Sequence, residues 1–258
     1  MSAIDELFAR TRVEDRAALV GYLPAGYPDK PTSIAAIEAM IDGGVDLVEV
    51  GLPYSDPVMD GPVIQAAVSG ALAGGTRVSD VFDVVRASAA RVPTVVMTSW
   101  NPVEQYGVDA FAAALRGAGG SGLITPDITP DEASEWMDAS KAHELDRIFL
   151  VAPSSTDDRI AMTAAASSGF LYATAVMGVT GARDVTSSAA PVLVERVRKI
   201  TDLAIGVGLG ISNAAQAAEV AKYADAVIVG SALVRALEDG GVEAVRDLAR
   251  ELRAGVER

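Results

Sequence analysis

Several kinds of chemistry are excluded by residues that this sequence lacks. The chain of 258 residues contains no cysteine and a single histidine, His143, and only 5% of its residues are aromatic. Without cysteine there is no disulfide, no thiolate nucleophile and no cysteine-ligated metal. One histidine, placed late in a predicted helix, also argues against a zinc-dependent mechanism. We therefore expect no metal site.

Positive charge is scarce as well. Lysine and arginine number 21 against 35 aspartates and glutamates, which gives a formal net charge of -14. A field of this sign repels phosphate backbones and anionic lipid, so nucleic acids and membrane surfaces are poor partners. Three of the four lysines lie in predicted helices and one in an early loop, so none lies at a strand end inside the barrel, which argues against a Schiff-base aldolase. A small anionic substrate remains compatible, because backbone N–H groups at a helix N-terminus can bind an anion locally.

Long hydrophobic runs are missing too. No apolar run reaches the roughly 18 residues of a membrane span. The acidic segment 1–8 predicts a short amphipathic helix and lacks the basic start of a secretory signal, so we expect a cytoplasmic location. No linker, low-complexity segment or charge run divides the chain. We expect one domain over residues 1–258.

The chain instead contains short runs of Val, Ile and Leu that alternate with longer Ala-rich stretches. This alternation predicts right-handed βαβ units and a parallel sheet. Eight units are the number in a (β/α)8 TIM barrel, here with a short extra N-terminal helix, and a doubly wound open sheet is the alternative. Predicted helices include 31–41, 130–143, 212–222 and 241–253. The strand candidates are 18–23, 46–52, 94–98, 122–125, 147–151, 171–175, 204–207 and 226–229.

Acidic residues cluster at the end of the second predicted strand. Glu49 interrupts an apolar strand, where a carboxylate is costly to bury unless it has a partner or a function. Asp56 and Asp60 follow on a loop bounded by Pro and Gly. A structural ion pair and ordinary turn formation would explain each residue separately. Together, at the end of the barrel that carries chemistry, they favour a catalytic site.

Glycine-rich turns follow the late strands at 178–181, 208–212 and 230–232. Glycine allows the backbone to approach a ligand, and barrels frequently bind phosphate with the loops after strands seven and eight. Each turn alone is weak evidence, since glycine after a strand usually only forms a turn. Two turns at the expected positions indicate a phosphate site. The remaining chemistry is acid–base catalysis by carboxylates on a phosphorylated substrate.

The segment 49–65, with the sequence EVGLPYSDPVMDGPVIQ, resembles the signature of the tryptophan synthase alpha subunit family. The resemblance implies cleavage of indole-3-glycerol phosphate to indole and glyceraldehyde 3-phosphate. In this retro-aldol reaction the substrate hydroxyl loses a proton and the indole ring carbon gains one, without a metal. Supporting similarities run through most of the chain, at 22–29, 101–107, 126–127, 177–181, 208–212 and 230–232.

The resemblance also implies roles for individual residues. Glu49 would move the proton between the ring carbon and the hydroxyl, and burial should raise its pKa. Asp60, on a more polar loop, would bind the indole N–H as a carboxylate. Thr180 would meet Asp60 when a lid at 178–184 closes. Leu209 would also bind substrate, and it and the pair Ser99-Trp100, which lie near the expected pocket, differ from many relatives. Other substrate-binding residues would be Tyr22 and Tyr172 at the indole, and Gly181, Gly210, Gly230 and Ser231 at the phosphate.

The same resemblance implies a partner. Such subunits work in an alpha2beta2 complex with a beta subunit, a pyridoxal-phosphate enzyme that joins indole to serine, so this chain should carry no cofactor. Pro53 and Asp56 would transmit the partner's state. Three alternatives stay open: another phosphate-binding barrel, a stand-alone indole-releasing lyase, and a non-catalytic scaffold barrel for a beta-type subunit.

Overall fold

Parallel strands form the centre of the molecule. The computed structural model describes residues 1–57, 59–174, 189–208 and 210–258. Within these ranges the strands pair in parallel in the order β5-β4-β3-β2-β1-β9-β8-β7-β6. Their bounds are β1 Ala18–Pro24, β2 Leu47–Gly51, β3 Thr94–Met97, β4 Gly122–Ile124, β5 Asp146–Ile148, β6 Leu150–Val151, β7 Phe170–Thr174, β8 Ala204–Gly208 and β9 Ala226–Val229.

The two ends of this sheet meet in one segment of the chain. β5 and β6 belong to a single predicted strand that is interrupted at Phe149. The backbone N–H of Ser168 donates to the Arg147 carbonyl (2.9 Å), and that of Tyr172 donates to the Phe149 carbonyl (3.1 Å). The first bond joins the residues just before β7 to β5, and the second joins β7 to the interruption itself. Together with the pairing of β6 and β7, they close the barrel. The predicted (β/α)8 barrel is confirmed, and the open-sheet alternative is wrong.

Each strand buries both of its faces. Val20, Leu47 and Val95 face the lumen of the barrel and pack there with Phe170 and Ile228. The neighbouring residues along the strands face the surrounding helices and form a second, larger core. Burial on both faces explains why the strands are apolar almost throughout their length.

Helix α1 (Ala3–Val13) is the short N-terminal helix that the sequence predicts, and it closes the N-terminal end of the barrel. Its residues Ile4, Leu7 and Phe8 join the core of the lumen, where Phe8 lies 5.9 Å from Phe170 between ring centroids. The helix begins with a capping box, in which the Asp5 N–H donates to the Ser2 hydroxyl (3.2 Å) and the Ser2 N–H donates to the Asp5 carboxylate (2.9 Å). Substrate access is therefore confined to the opposite end.

The remaining helices surround the barrel. They are α2 Lys30–Asp42, α3 Pro62–Ala73, α4 Val78–Ala89, α5 Trp100–Tyr106, α6 Val108–Gly117, α7 Ser134–Ala142, α8 Asp157–Ala166, α9 Ala189–Arg198, α10 Ala214–Ala221 and α11 Ser231–Gly255. In the described ranges, none of the helices is both long enough and apolar enough to cross a membrane.

One predicted helix has the wrong start. The helix predicted from residue 130 begins at Ser134, because a turn precedes it: the Glu132 N–H donates to the Thr129 carbonyl (3.0 Å). The helix predicted over 241–253 is found as the second of two helical segments in α11, and Ser231 begins the first. The backbone is not helical at Gly241, where φ is +69°, and glycine adopts a positive φ readily, so this residue forms the kink between the two segments.

We predict that Gly206→Ala destabilises the fold by about 1–3 kcal/mol, the usual range for an overpacked core. A Cβ at Gly206 would lie 2.9 Å from Ile228 Cδ1 and 3.1 Å from the Phe170 ring. The control is Gly117→Ala at the end of α6, where a Cβ meets no atom within 4 Å. Urea unfolding should show a loss of stability for Gly206→Ala alone. Equal stability of the two variants would contradict the packing described for the lumen.

Candidate active site

Glu49 lies inside the barrel. It is the third residue of β2, in register with Tyr22 of β1 and Val95 of β3. The side chain is 1% exposed, and among the described residues its Oε1 atom has no hydrogen-bond partner. Burial without a partner disfavours the charged carboxylate and raises the pKa of Glu49 to about 8. The predicted rise is confirmed, and at neutral pH this carboxyl group is mostly protonated.

Two tyrosines share the lumen with Glu49. A Cβ at Gly51 would collide with the Tyr22 ring, and one at Gly208 would lie 2.5 Å from the Tyr172 hydroxyl oxygen. Glycine is therefore needed at both strand ends, because the tyrosine rings occupy the space. Burial is the main cause that raises the pKa of Tyr22 well above its ordinary value, and the carboxylates of Asp60 and Glu49 raise it further. The pKa of Tyr172 is also raised, mainly by burial and to a smaller extent by the nearby Glu49 carboxylate.

Asp60 lies on the wall of a cleft at the C-terminal end of the barrel. The cleft has a volume of about 450 Å³, which includes space open to solvent. Asp60 is half-buried, and burial raises its pKa. Its surroundings are thus less polar than the sequence suggests, because Tyr22 and other largely apolar side chains line the same cleft. The full lining is Tyr22, Leu52, Tyr54, Pro57, Met59, Asp60, Met97, Thr98, Ser99 and Pro126.

The predicted phosphate residues lie at the ends of β8 and β9. Ser231 is buried and begins α11, and Gly230 precedes it as the N-cap. A Cβ at Gly230 would lie 3.4 Å from Tyr22 Cδ1, so this turn borders the tyrosine that lines the cleft. Gly210 has a φ of +72° and leads towards α10, which Asn213 caps by accepting from the Gln216 N–H (3.0 Å). Two helix N-termini, which favour anions, therefore follow these strands.

Three predicted site residues lie outside the described residues, as does the predicted lid at 178–184. These residues are Thr180, Gly181 and Leu209.

The two residues predicted to communicate with a partner differ in exposure. Asp56 is exposed, and the Ser55 hydroxyl donates to its carboxylate (2.6 Å). Pro53 is buried at the start of the same loop. Only Asp56 of this pair is therefore available for direct contact with another chain.

The cleft also contains residues that the sequence analysis did not single out. Tyr54 and Thr98 line it, and Thr98 is only 5% exposed. Among the described residues the Thr98 hydroxyl has no hydrogen-bond partner. Its position directly after β3, at the end of the barrel where chemistry occurs, is the one signal that could have identified it. Ser99, noted as a departure from the family pattern, lies in the same wall.

Histidine and clustered carboxylates form no evident metal site in the part of the chain that the structure describes. His143 caps the C-terminal end of α7, away from the cleft, with its Nε2 atom 2.8 Å from the exposed Asp109 carboxylate.

Fold and site together define a class of protein: a (β/α)8 barrel enzyme with a buried carboxyl group on a strand, a carboxylate in a cleft at the C-terminal end of the barrel, and two helix N-termini that follow the last two strands. The family model described as "Tryptophan synthase alpha chain" matches residues 8–257. The chain belongs to the tryptophan synthase alpha chain family. The resemblance seen in the sequence is confirmed, and so is the lyase reaction on indole-3-glycerol phosphate that it implies.

Individual relatives are similar over their whole length. The chain is 60% identical to the tryptophan synthase alpha chain of Mycobacterium avium over 256 residues, which cover 99% of this chain and 94% of that one. It is 57% identical to a chain in a structure of Mycobacterium tuberculosis tryptophan synthase, with a TM-score of 0.96 and coverage of 100% and 99%. The alpha subunit structure from Legionella pneumophila, at 29% identity, still gives a TM-score of 0.90 with coverage of 99% and 98%.

We predict that Glu49→Gln changes how stability depends on pH. Glu49 ionises near its ordinary value of 4.5 in the unfolded chain, but at about 8 in the folded chain. The unfolded state therefore loses this proton first, and the parent loses stability as pH rises from 4.5 to 8. Because glutamine does not titrate, the variant should gain up to about 5 kcal/mol relative to the parent across this window.

Urea unfolding at a series of pH values measures this difference directly. Glu38→Gln, at an exposed position of α2, controls for the loss of one carboxylate. A difference between parent and Glu49→Gln that stays constant across the window would show that Glu49 is not desolvated as described.

Proposed function

We propose that Glu49 and Asp60 catalyse the cleavage of indole-3-glycerol phosphate within a single barrel domain, residues 1–258. The observation that carries this proposal is the buried carboxyl group of Glu49, whose Oε1 atom has no hydrogen-bond partner among the described residues. It lies beside Tyr22, which in turn borders the cleft that contains Asp60. A scaffold would need neither carboxyl group, and burying one without a partner is costly unless the protonated form has a use.

Glu49 begins the reaction as an acid. Since burial raises its pKa to about 8, the group has a proton to donate at neutral pH. It donates this proton to the indole ring carbon that bears the glycerol phosphate chain. The bond between that carbon and the hydroxyl-bearing carbon then breaks, and the hydroxyl proton passes back to Glu49 as the aldehyde forms. No proton is consumed overall, and Glu49 returns to its starting state.

Asp60 stabilises the charge that this step creates. Protonation of the ring carbon makes the indole N–H strongly acidic and leaves positive charge on the ring. A carboxylate next to that N–H stabilises the charge where it develops, and it does so more strongly in a half-buried cleft than in water. The position of Asp60 in the same cleft as Tyr22 supports this role.

The other predicted residues would bind the substrate. Tyr22 and Tyr172 offer ring faces for the indole, and their raised pKa values keep them neutral. The phosphate would bind at the backbone N–H groups of Gly210, Gly230 and Ser231. These donors would attract the phosphate at close range although the chain as a whole has a net charge of -14. From the family resemblance, Thr180, Gly181 and Leu209 complete the site.

We also propose the partner that the resemblance implies. The chain would form an alpha2beta2 complex in the cytoplasm with a beta subunit, which holds pyridoxal phosphate and receives the indole. The matched M. tuberculosis structure is of tryptophan synthase, which supports such a complex. The exposed Asp56 would contact the partner, and the buried Pro53 would transmit that contact towards β2.

Loss of either carboxylate should abolish most turnover. We predict that Asp60→Asn remains folded and binds substrate, but releases indole at a small fraction of the parent's rate. Glu49→Gln should behave in the same way, because an amide cannot cycle a proton. Steady-state indole release and circular dichroism measure the two properties separately. A folded Asp60→Asn or Glu49→Gln enzyme with near-normal kcat would refute the assigned role of that residue.

The same assay with and without an added beta subunit separates the alternatives. Slow release that rises sharply with the partner supports the complex proposed here. Fast release that ignores the partner favours a stand-alone lyase. Tight binding of the partner without any indole release favours a scaffold, and a folded chain that does neither points to another phosphate-binding barrel.

A further inference from the structure

The loop that carries Asp60 is held to the neighbouring strand end by one side-chain hydrogen bond. Tyr54 lies six residues before Asp60 and lines the same cleft. The Asn101 Nδ2 group donates a hydrogen bond to the Tyr54 hydroxyl oxygen at 3.0 Å. Asn101 lies in the first turn of α5, which follows β3. The bond therefore joins the loop after β2 to the helix after β3.

The donor helix is itself fixed from the other side. The backbone N–H of Trp100, the first residue of α5, is shared between the two carboxylate oxygens of Asp127, at 2.8 and 3.1 Å. Asp127 follows β4. Three consecutive strand ends are thus connected through α5, and residues from all three form the walls of the cleft.

The far end of the same loop has its own attachment. The Gln65 Nε2 group, in the first turn of α3, donates to the backbone carbonyl of Asp60 at 2.7 Å. Asp60 is therefore attached through its backbone on one side and through Tyr54 on the other. Between these points, Ser55 and Asp56 are exposed and bond to each other.

We propose that Tyr54 and Asn101 are positioning residues for the reaction. Their hydrogen bond holds the loop so that the Asp60 carboxylate faces the cleft. The inference rests on the role proposed above for Asp60. A catalytic group must be held within a fraction of an ångström of its productive position, so a loop with one attachment fewer spends less time in the active arrangement. The effect should appear in turnover more than in substrate affinity.

The test is Tyr54→Phe, which keeps the ring in the cleft wall and removes only the acceptor oxygen. We expect kcat for indole release to fall about 2- to 10-fold, the rate change that corresponds to one typical net hydrogen bond. KM should change by less than about 2-fold, and the unfolding transition should stay close to the parent's. The matched control is Tyr106→Phe at the end of α5, the helix that contains Asn101. Tyr106 is 42% exposed and packs its ring against Phe82 and Phe111, so kcat should not change.

A double-mutant cycle tests whether the two residues act as a pair. Asn101→Ala should lower kcat by a similar factor, and the Tyr54→Phe/Asn101→Ala double variant should be no slower than the slower single variant. Three results would overturn the inference: a parent-like kcat in Tyr54→Phe, a rise in KM with unchanged kcat, or fully additive losses in the double variant.

Asp60→Asn belongs in the same series, because it separates the two claims. If Asp60→Asn is inactive while Tyr54→Phe is normal, the positioning role fails and the proposed role of Asp60 stands. If Asp60→Asn is itself active, the proposed mechanism fails and this inference fails with it.

Discussion

Desolvation of the Glu49 carboxyl group links the fold of this barrel to its chemistry. Glu49 is 1% exposed inside the barrel, and burial favours its protonated form. Helix α1 covers the N-terminal end of the lumen with Ile4, Leu7 and Phe8. Tyr22 and Tyr172 occupy the lumen beside Glu49. If water reached Glu49, its pKa would fall towards 4.5 and the group would no longer be protonated at neutral pH.

The two acidic residues of the site differ in how firmly the fold holds them. Glu49 belongs to a strand whose two neighbours hold it by a continuous backbone ladder, so its position is fixed by the fold. Asp60 belongs to a loop, which depends on individual side-chain bonds for its position. In the proposed mechanism, a loop suits the residue that meets the indole ring, whereas a buried strand suits the group whose pKa is held far from its ordinary value.

The sequence predicts the barrel and the two candidate catalytic residues because both leave local signals. Apolar runs marked all eight strands, and Glu49 was conspicuous as a carboxylate inside one of them. Two element boundaries depend on tertiary contacts and leave no local signal in the sequence: the turn before α7 and the interruption at Phe149. The Tyr54–Asn101 hydrogen bond joins residues 47 positions apart, and the buried Thr98 hydroxyl has no hydrogen-bond partner among the described residues. Neither follows from a pattern within one segment.

A titration of the Glu49 carboxyl group itself would test its proposed role as the proton donor. Side-chain carboxyl ¹³C shifts of the folded chain, with the Glu49 signal assigned by its absence in Glu49→Gln, report the protonation state without relying on turnover. We expect a midpoint near pH 8, with the group protonated at neutral pH. A midpoint near the ordinary value of 4.5 would mean that Glu49 is charged when the substrate arrives, and the proton donor proposed here would have to be another group.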